Sequence, residues 1–277
     1  MKSLVIARLT FREAVRKKVL LGAVVLTLGY LALFGVGSHF AFQDLLKQGP
    51  SSQMRDLAAS QFLLLGLYGA NFMGGLLAIF SSVGTISSEV DQGVLQAIVP
   101  RAIHRWEIVL GKWLGYAAML FVYVFLLGWA IIGMVAYFGH YVPSGALMGV
   151  SLMGFQVLLL LSLCLLGSTL FSTVTNGVVM LILYASAMVG GQIEQLGSLL
   201  RNDTMINIGI GVGLLMPSDT LWKMASHLLQ PHLSPLFGTV GPFQMASPPS
   251  MWMLVYAAIY SIGAVLGAIL LFGSRDL

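Results

Sequence analysis

The sequence predicts an all-α membrane protein with about six transmembrane helices, and three observations carry that reading. First, 58% of the 277 residues are apolar or aromatic and only 9% are charged, too few charges to cover a soluble domain of this size. Second, the charges leave long gaps: none falls in Trp113–Ile193, Val19–Gln43, Leu57–Ser88 or Met224–Ser274. A spanning helix needs roughly 20 mainly apolar residues. Lipid offers no partner to an open backbone, so the spans must be helices or closed barrels. Third, the apolar runs lack the alternation that a barrel requires.

Residues 2–18 read as an amphipathic surface helix. Arg8, Arg12 and Arg16 recur every four residues, while Leu4, Ala7, Phe11 and Val15 follow the other side. With Lys2, Lys17 and Lys18 they form a basic collar suited to anionic cytoplasmic lipid. Two readings stay open: a positive-inside topology signal, and a lateral helix that also touches a partner. The apolar run that follows is longer than the roughly 7–15 residues of a signal-peptide core, and no A-x-A-like site ends it. It is expected to stay as the first span, about 19–41.

The second span is expected over 58–86. It carries Gly66, Ala70 and Gly74 at four-residue spacing, a pattern of small residues that lets helices approach closely. Polar breaks at Gly139–Gly145 and Ser172–Asn176 then give spans near 113–138, 147–171 and 177–193. Residues 194–250 hold six of the nine prolines and are expected to form an extracytoplasmic or re-entrant segment. Within it, 206–216 is apolar but too short to cross, and carries Gly209, Gly211 and Gly213 before Pro217. A pair of short re-entrant or surface helices, with 218–230 as the second, is the preferred reading over an extra pair of crossings. The sixth span, about 251–272, contains Gly263-x-x-x-Gly267 and leads into a tail ending at Leu277. The whole of 1–277 is thus one transmembrane domain: surface helix 1–18, five spans in 19–193, the segment 194–250, and the last span with its tail, 251–277.

Lysines and arginines set the orientation. With the N-terminus inside, ten of the 14 fall on the cytoplasmic side: six in the first helix, three in 87–112, and Arg275. Lys47, Arg55, Arg201 and Lys223 fall outside. Six spans with both termini cytoplasmic fit this split, in a plasma (inner) membrane.

Much chemistry is missing. No expected span holds an ionisable residue at its middle, which disfavours an ion-coupled carrier. Glu194 sits where the fifth span should meet the outer interface. Catalytic signatures are absent, and Gly111-Lys112 is no phosphate loop, because Trp106 and Trp113 stand where that motif needs Gly and Ser or Thr. The single cysteine, Cys164, excludes a disulfide framework or a cysteine metal site. Methionines and histidines between Met216 and Met253 could ligate copper, but they form no repeated motif, and packing is the preferred reading. A net charge of +4 makes no case for nucleic acid. No catalytic, cofactor or metal residue is assigned.

The segment 87–112 carries the information. It reads Glu89, Asp91, Gly93, then the apolar Val94, Leu95, Ala97, Ile98 and Val99, which Pro100 and Arg101 end. Arg105, Glu107, Ile108, Gly111 and Lys112 then lead into the third span. A short apolar helix held between charged flanks suits a groove on another protein. The plainer alternative is an interfacial helix resting on lipid.

On these residues the chain resembles the permease subunits of type-2 ABC exporters. That family joins its second and third spans by an acidic residue, a glycine, an apolar stretch, a Pro–basic pair and a Glu-Ile-x-x-Gly-Lys lead-in. The position after the glycine, often threonine there, is Val94. Ile6–Ala14 is similar to the N-terminal helix of the branch named for multicopper-enzyme maturation, which includes the permease serving nitrous oxide reductase, and Arg275-Asp-Leu277 is similar to the usual family ending. The resemblance implies six helices per permease, two permeases, identical or not, facing each other, and one cytoplasmic ABC ATPase beneath each. ATP and magnesium would sit on those partners, with none bound by this chain. It makes 87–112 the coupling loop, with Glu89, Arg101, Arg105 and Glu107 at its polar rim. Glycine-rich faces of spans one, two and five become candidates for the dimer seam and substrate path. The alternatives are a non-transporting membrane scaffold or assembly factor and, less favoured, an ion-coupled carrier.

Overall fold

A computed structural model describes residues 2–47, 49, 51–88, 104–230 and 250–274. Among these, regular structure is helical throughout: α1 (Lys2–Arg16), α2 (Lys18–Lys47), α3 (Ser52–Ser82), α4 (Arg105–Gly139), α5 (Ala146–Leu170), α6 (Thr173–Leu200), α7 (Asp203–Leu215), α8 (Ser218–Leu229) and α9 (Met251–Ser274). Six of them, α2 to α6 and α9, are long and apolar enough to cross a membrane. The spans are longer than their charge-free cores because polar caps carry the helices outward. The Ser51 side chain accepts from the Met54 N–H at the start of α3, and the His104 N–H donates to the Glu107 carboxylate at the start of α4.

α5 is the hub, with 78% of its most apolar stretch buried, whereas the same figure for α2 is 6%. α2 is held from its margin by the Thr27–Tyr123 hydroxyl pair at 2.5 Å and by Tyr30, whose hydroxyl donates to the Gly66 carbonyl at 2.7 Å. The stripe at Gly66, Ala70 and Gly74 works differently from the expectation. A Cβ on Gly66 would lie 2.6 Å from the Phe34 ring, and one on Gly74 would lie 2.8 Å from Val124. These positions receive large side chains and do not bring two backbones together. The last span departs further. Ala257, Ser261, Ala264, Ala268 and Phe272 form its buried face, while Gly263 faces open space and Gly267 lies against Leu166, which an added Cβ would press at 3.2 Å. The packing stripe therefore runs through Ala264 and Ala268, because an alanine methyl fills space that a glycine would leave empty.

The short pair before the last span divides in two. α7 folds back along α6 after the left-handed residue Arg201 (φ 53°) and the Asn202 cap, whose Oδ1 accepts from the Thr204 and Met205 N–H groups. Contact is close enough that a Cβ on Gly209 would sit 2.8 Å from the Gly190 carbonyl. Most of α7 stays exposed, but α8 is buried from Ser218 to Ser226. α8 is thus a bundle element and not a surface helix. Asp219, Lys223 and Ser226 find partners there, as buried polar groups require, while the Ser218 hydroxyl has none.

The contacts also sort the bundle's two ends. α1, the start of α4 and the end of α9 meet at one end, through Ile6 against Gly111 and Arg105 against Phe272. Phe42 against Gly139, and α8 against Gly145, lie at the other.

Candidate functional site

Glu89, Asp91, Gly93, Val94, Leu95, Ile98, Val99, Pro100 and Arg101 lie outside the described residues. The two flanks from which that segment hangs are described, and they are bound tightly to one another. The Lys112 ammonium, nearly buried, donates to the Thr85 carbonyl at 2.7 Å. Thr85 follows the C-terminus of α3, so a cation there meets the negative end of that helix's dipole. Ile86, Ile108, Val109, Leu165, Ala268 and Phe272 pack beneath as one buried cluster.

Arg105 joins a second neighbour. Its guanidinium donates to the Phe272 and Gly273 carbonyls, each at 3.2 Å, and so caps the last turn of α9. Glu107, also nearly buried, accepts from the His104 N–H at 3.1 Å and so caps the helix. A carboxylate at the third helical position satisfies an N–H the helix leaves open.

Gly111 is a seat for α1. A Cβ there would stand 2.7 Å from Ile6 and 2.9 Å from the Ser3 carbonyl, and one on Gly115 would stand 2.7 Å from the Ala7 carbonyl. The docked face of α1 is therefore Ser3, Ile6, Ala7, Thr10 and Ala14. Of the expected apolar side, Ala7 is docked, whereas Leu4, Phe11 and Val15 remain exposed next to Arg8, Arg12 and Arg16.

Asn176 was missed by sequence reasoning. Its amide donates to the Val83 carbonyl at 2.8 Å and the Cys164 carbonyl at 2.9 Å, tying α6 to the end of α3 and to α5. Ser87 and Thr173 hydroxyls meet at 2.8 Å alongside it. The one signal was the polar run Ser172–Asn176, which marks the break between two spans equally well.

A second site lies towards the opposite end. A cavity of about 630 Å³ runs between α3 and α6, walled by Phe72, Leu76 and Met188 with Tyr68, Tyr184 and Gln192 as its polar points. Trp222 of α8 stands edge-on to Tyr68, ring centroids 5.6 Å apart. Behind it the Lys223 ammonium lies 2.6 Å from the Glu194 carboxylate and 3.1 Å from that of Asp219. Gly191 makes room for the Asp219 carboxylate, which would collide with any side chain there. Asp219 and Lys223 are four residues apart on one helix, a spacing visible in the sequence, but their partner Glu194 is 29 residues from Lys223.

Burial pushes the Asp219 carboxyl up to about 6, with Lys223 pulling it down and Glu194 pushing it further up. The folded state then holds a proton that the unfolded state releases at ordinary carboxylate pH. Stability from this group is full below pH 4 and is lost as the pH rises through about 6. Burial alone would lower Lys223, but Asp219 and Glu194 outweigh it and raise it, so it stays charged across that window. Thermal melting in detergent is expected to rise when the pH falls from 7.5 to 5.5. Asp219→Asn should flatten that response, and an unchanged slope in the variant would remove Asp219 as its source.

Six helices long and apolar enough to cross a membrane make the chain a multi-pass membrane protein. The family model for ABC-2 family transporter proteins matches residues 4–277, and the chain belongs to that family. It is accordingly a multi-pass permease subunit of an ABC transporter. A comparison with curated proteins finds no match.

Proposed function

We propose that this permease works in an exporter and is driven by separate cytoplasmic ATPases through the segment 87–112. The observation that carries the reading is the double clasp at the flanks. Lys112 holds Thr85 and Arg105 holds the end of α9, so force applied between the flanks reaches α3, α4 and α9 together. Asn176 extends the same connection to α5 and α6. ATP-driven closure of two ATPases would push on Val94–Val99 and bias the permease between inward- and outward-open states.

In this reading ATP and magnesium sit on the partner chains, and this chain has no catalytic role. A second permease, identical or not, completes the path, and both termini lie on the cytoplasmic side of the inner membrane. The groove between α3 and α6 is the proposed substrate path, and its apolar walls with tyrosine and glutamine points suit an amphipathic cargo. The run Ile6–Ala14 supports placement near the nitrous oxide reductase maturation branch.

The test is Val94→Asp together with Ile98→Asp, in the chain purified with its native partners. Two buried carboxylates at an apolar interface should lower retention of the ATPase by at least about a hundredfold, with the permease still folded. Full retention of an ATPase by the variant would overturn the docking role. Purification with no ATPase at all, and no ATP dependence, would favour the scaffold reading.

A further inference from the structure

α1 has two faces with different work. One is seated in α4: the Ser3 carbonyl and Ile6 against Gly111, the Ala7 carbonyl and Thr10 against Gly115. Those glycines bring the helices so near that α1 cannot shift without moving the first turns of α4. Lys17 strengthens the seat, with its ammonium 2.5 Å from the Tyr116 hydroxyl and 3.4 Å from Glu13.

The other face is uncovered. Arg8, Arg12 and Arg16 are exposed in a row, about 6 Å apart along the axis at 1.5 Å per residue. Among the described residues none of the three has an ion-pair partner. Leu4, Phe11 and Val15 flank the row on one side and Val5 and Leu9 on the other, all at least 36% exposed. A row of cations between two apolar margins does not match water, nor a neutral lipid surface alone. It matches anionic headgroups lying above acyl chains, into which the flanking side chains reach.

We propose that α1 is an anionic-lipid-bound arm that sets the position of the first turns of α4, and with them the clasp that carries residues 89–103. The partner is phospholipid of net negative charge in the leaflet at that end of the bundle. The route is short and made of contacts already described: headgroup to arginine row, α1 backbone to Gly111 and Gly115, Lys112 to Thr85. Its consequence for ATPase coupling rests on the function proposed above, whereas the lipid response itself does not.

The test uses the full chain alone in nanodiscs of phosphatidylcholine, with and without about one third phosphatidylglycerol, a typical anionic content. Hydrogen exchange is read over 84–88 and 104–116. Phosphatidylglycerol should slow exchange there about tenfold, since each arginine near an anionic surface adds attraction. Arg8→Gln, Arg12→Gln and Arg16→Gln together should keep the phosphatidylcholine rates and lose the slowing. Lys47→Gln with Arg55→Gln, at the opposite end, should retain it. Raising the salt to about 0.5 M should erase the effect in the unaltered chain, because surface attraction is then screened. No slowing in the unaltered chain, or slowing that survives in the triple variant, overturns the proposal. No ATPase is present in this experiment, so its failure is separable from failure of the coupling function, which co-purification decides.

Discussion

Lys223→Ala is expected to lower stability by about 3 kcal/mol, the size of the loss when one member of a buried ion group is removed. The lysine is the only cation within reach of both carboxylates among the described residues, at 2.6 Å from Glu194 and 3.1 Å from Asp219. Without it two like charges face each other, one of them on the buried Asp219. Glu194 is a third exposed, and its charge is partly screened, so the expected loss sits at the lower end of the range. Adding Asp219→Asn to Lys223→Ala should recover a good part, since it removes one unpaired charge. Melting followed by circular dichroism reads both variants. A Lys223→Ala protein as stable as the parent would mean that the ion group contributes nothing to holding α8.

The second large effect is expected at Lys112→Met. The methionine keeps the volume of the buried stem but leaves the Thr85 carbonyl without its charged donor, a loss of about 2 kcal/mol. Its functional signature differs from that of the docking variant. The ATPase should still co-purify, but turnover of the complex should fall about tenfold, the size typical for substitutions within a coupled network. Loss of the ATPase together with turnover would place Lys112 in the docking surface itself, against the clasp described here.

Hydropathy made the spans legible and left their ends illegible. The charge-free runs locate all six, yet Arg55 and Asp56, which read as loop, lie in the first turns of α3, and Trp106 and Glu107 lie in α4. A helix continues past the bilayer wherever a cap and intrahelical hydrogen bonds sustain it, and charge says nothing of that. The docked face of α1 escaped for a related reason. Of that face only Ala7 lay on the expected apolar side; Ser3, Thr10 and Ala14 carry little hydrophobic weight, so the periodicity otherwise followed Leu4, Phe11 and Val15, which the fold leaves exposed. In the candidate site, the glycine and lysine of Gly111-Lys112 stood out through a family pattern, but what each does depends on partners far away in sequence. Gly111 needs Ser3 and Ile6, and Lys112 needs Thr85. Asn176 reaches Val83 across 93 positions, a pairing that no local window contains.

The hydrogen bond from Lys112 to Thr85 joins the chain on either side of residues 89–103 and so forms a neck. Closing a chain segment at its neck confines the entropy of whatever lies beyond it, and the entropy grows only slowly with added length. Substitution or lengthening beyond the neck therefore leaves the spans almost untouched. On the coupling role proposed above, a change of motor protein would be met inside those fifteen positions, leaving the groove between α3 and α6 unaltered.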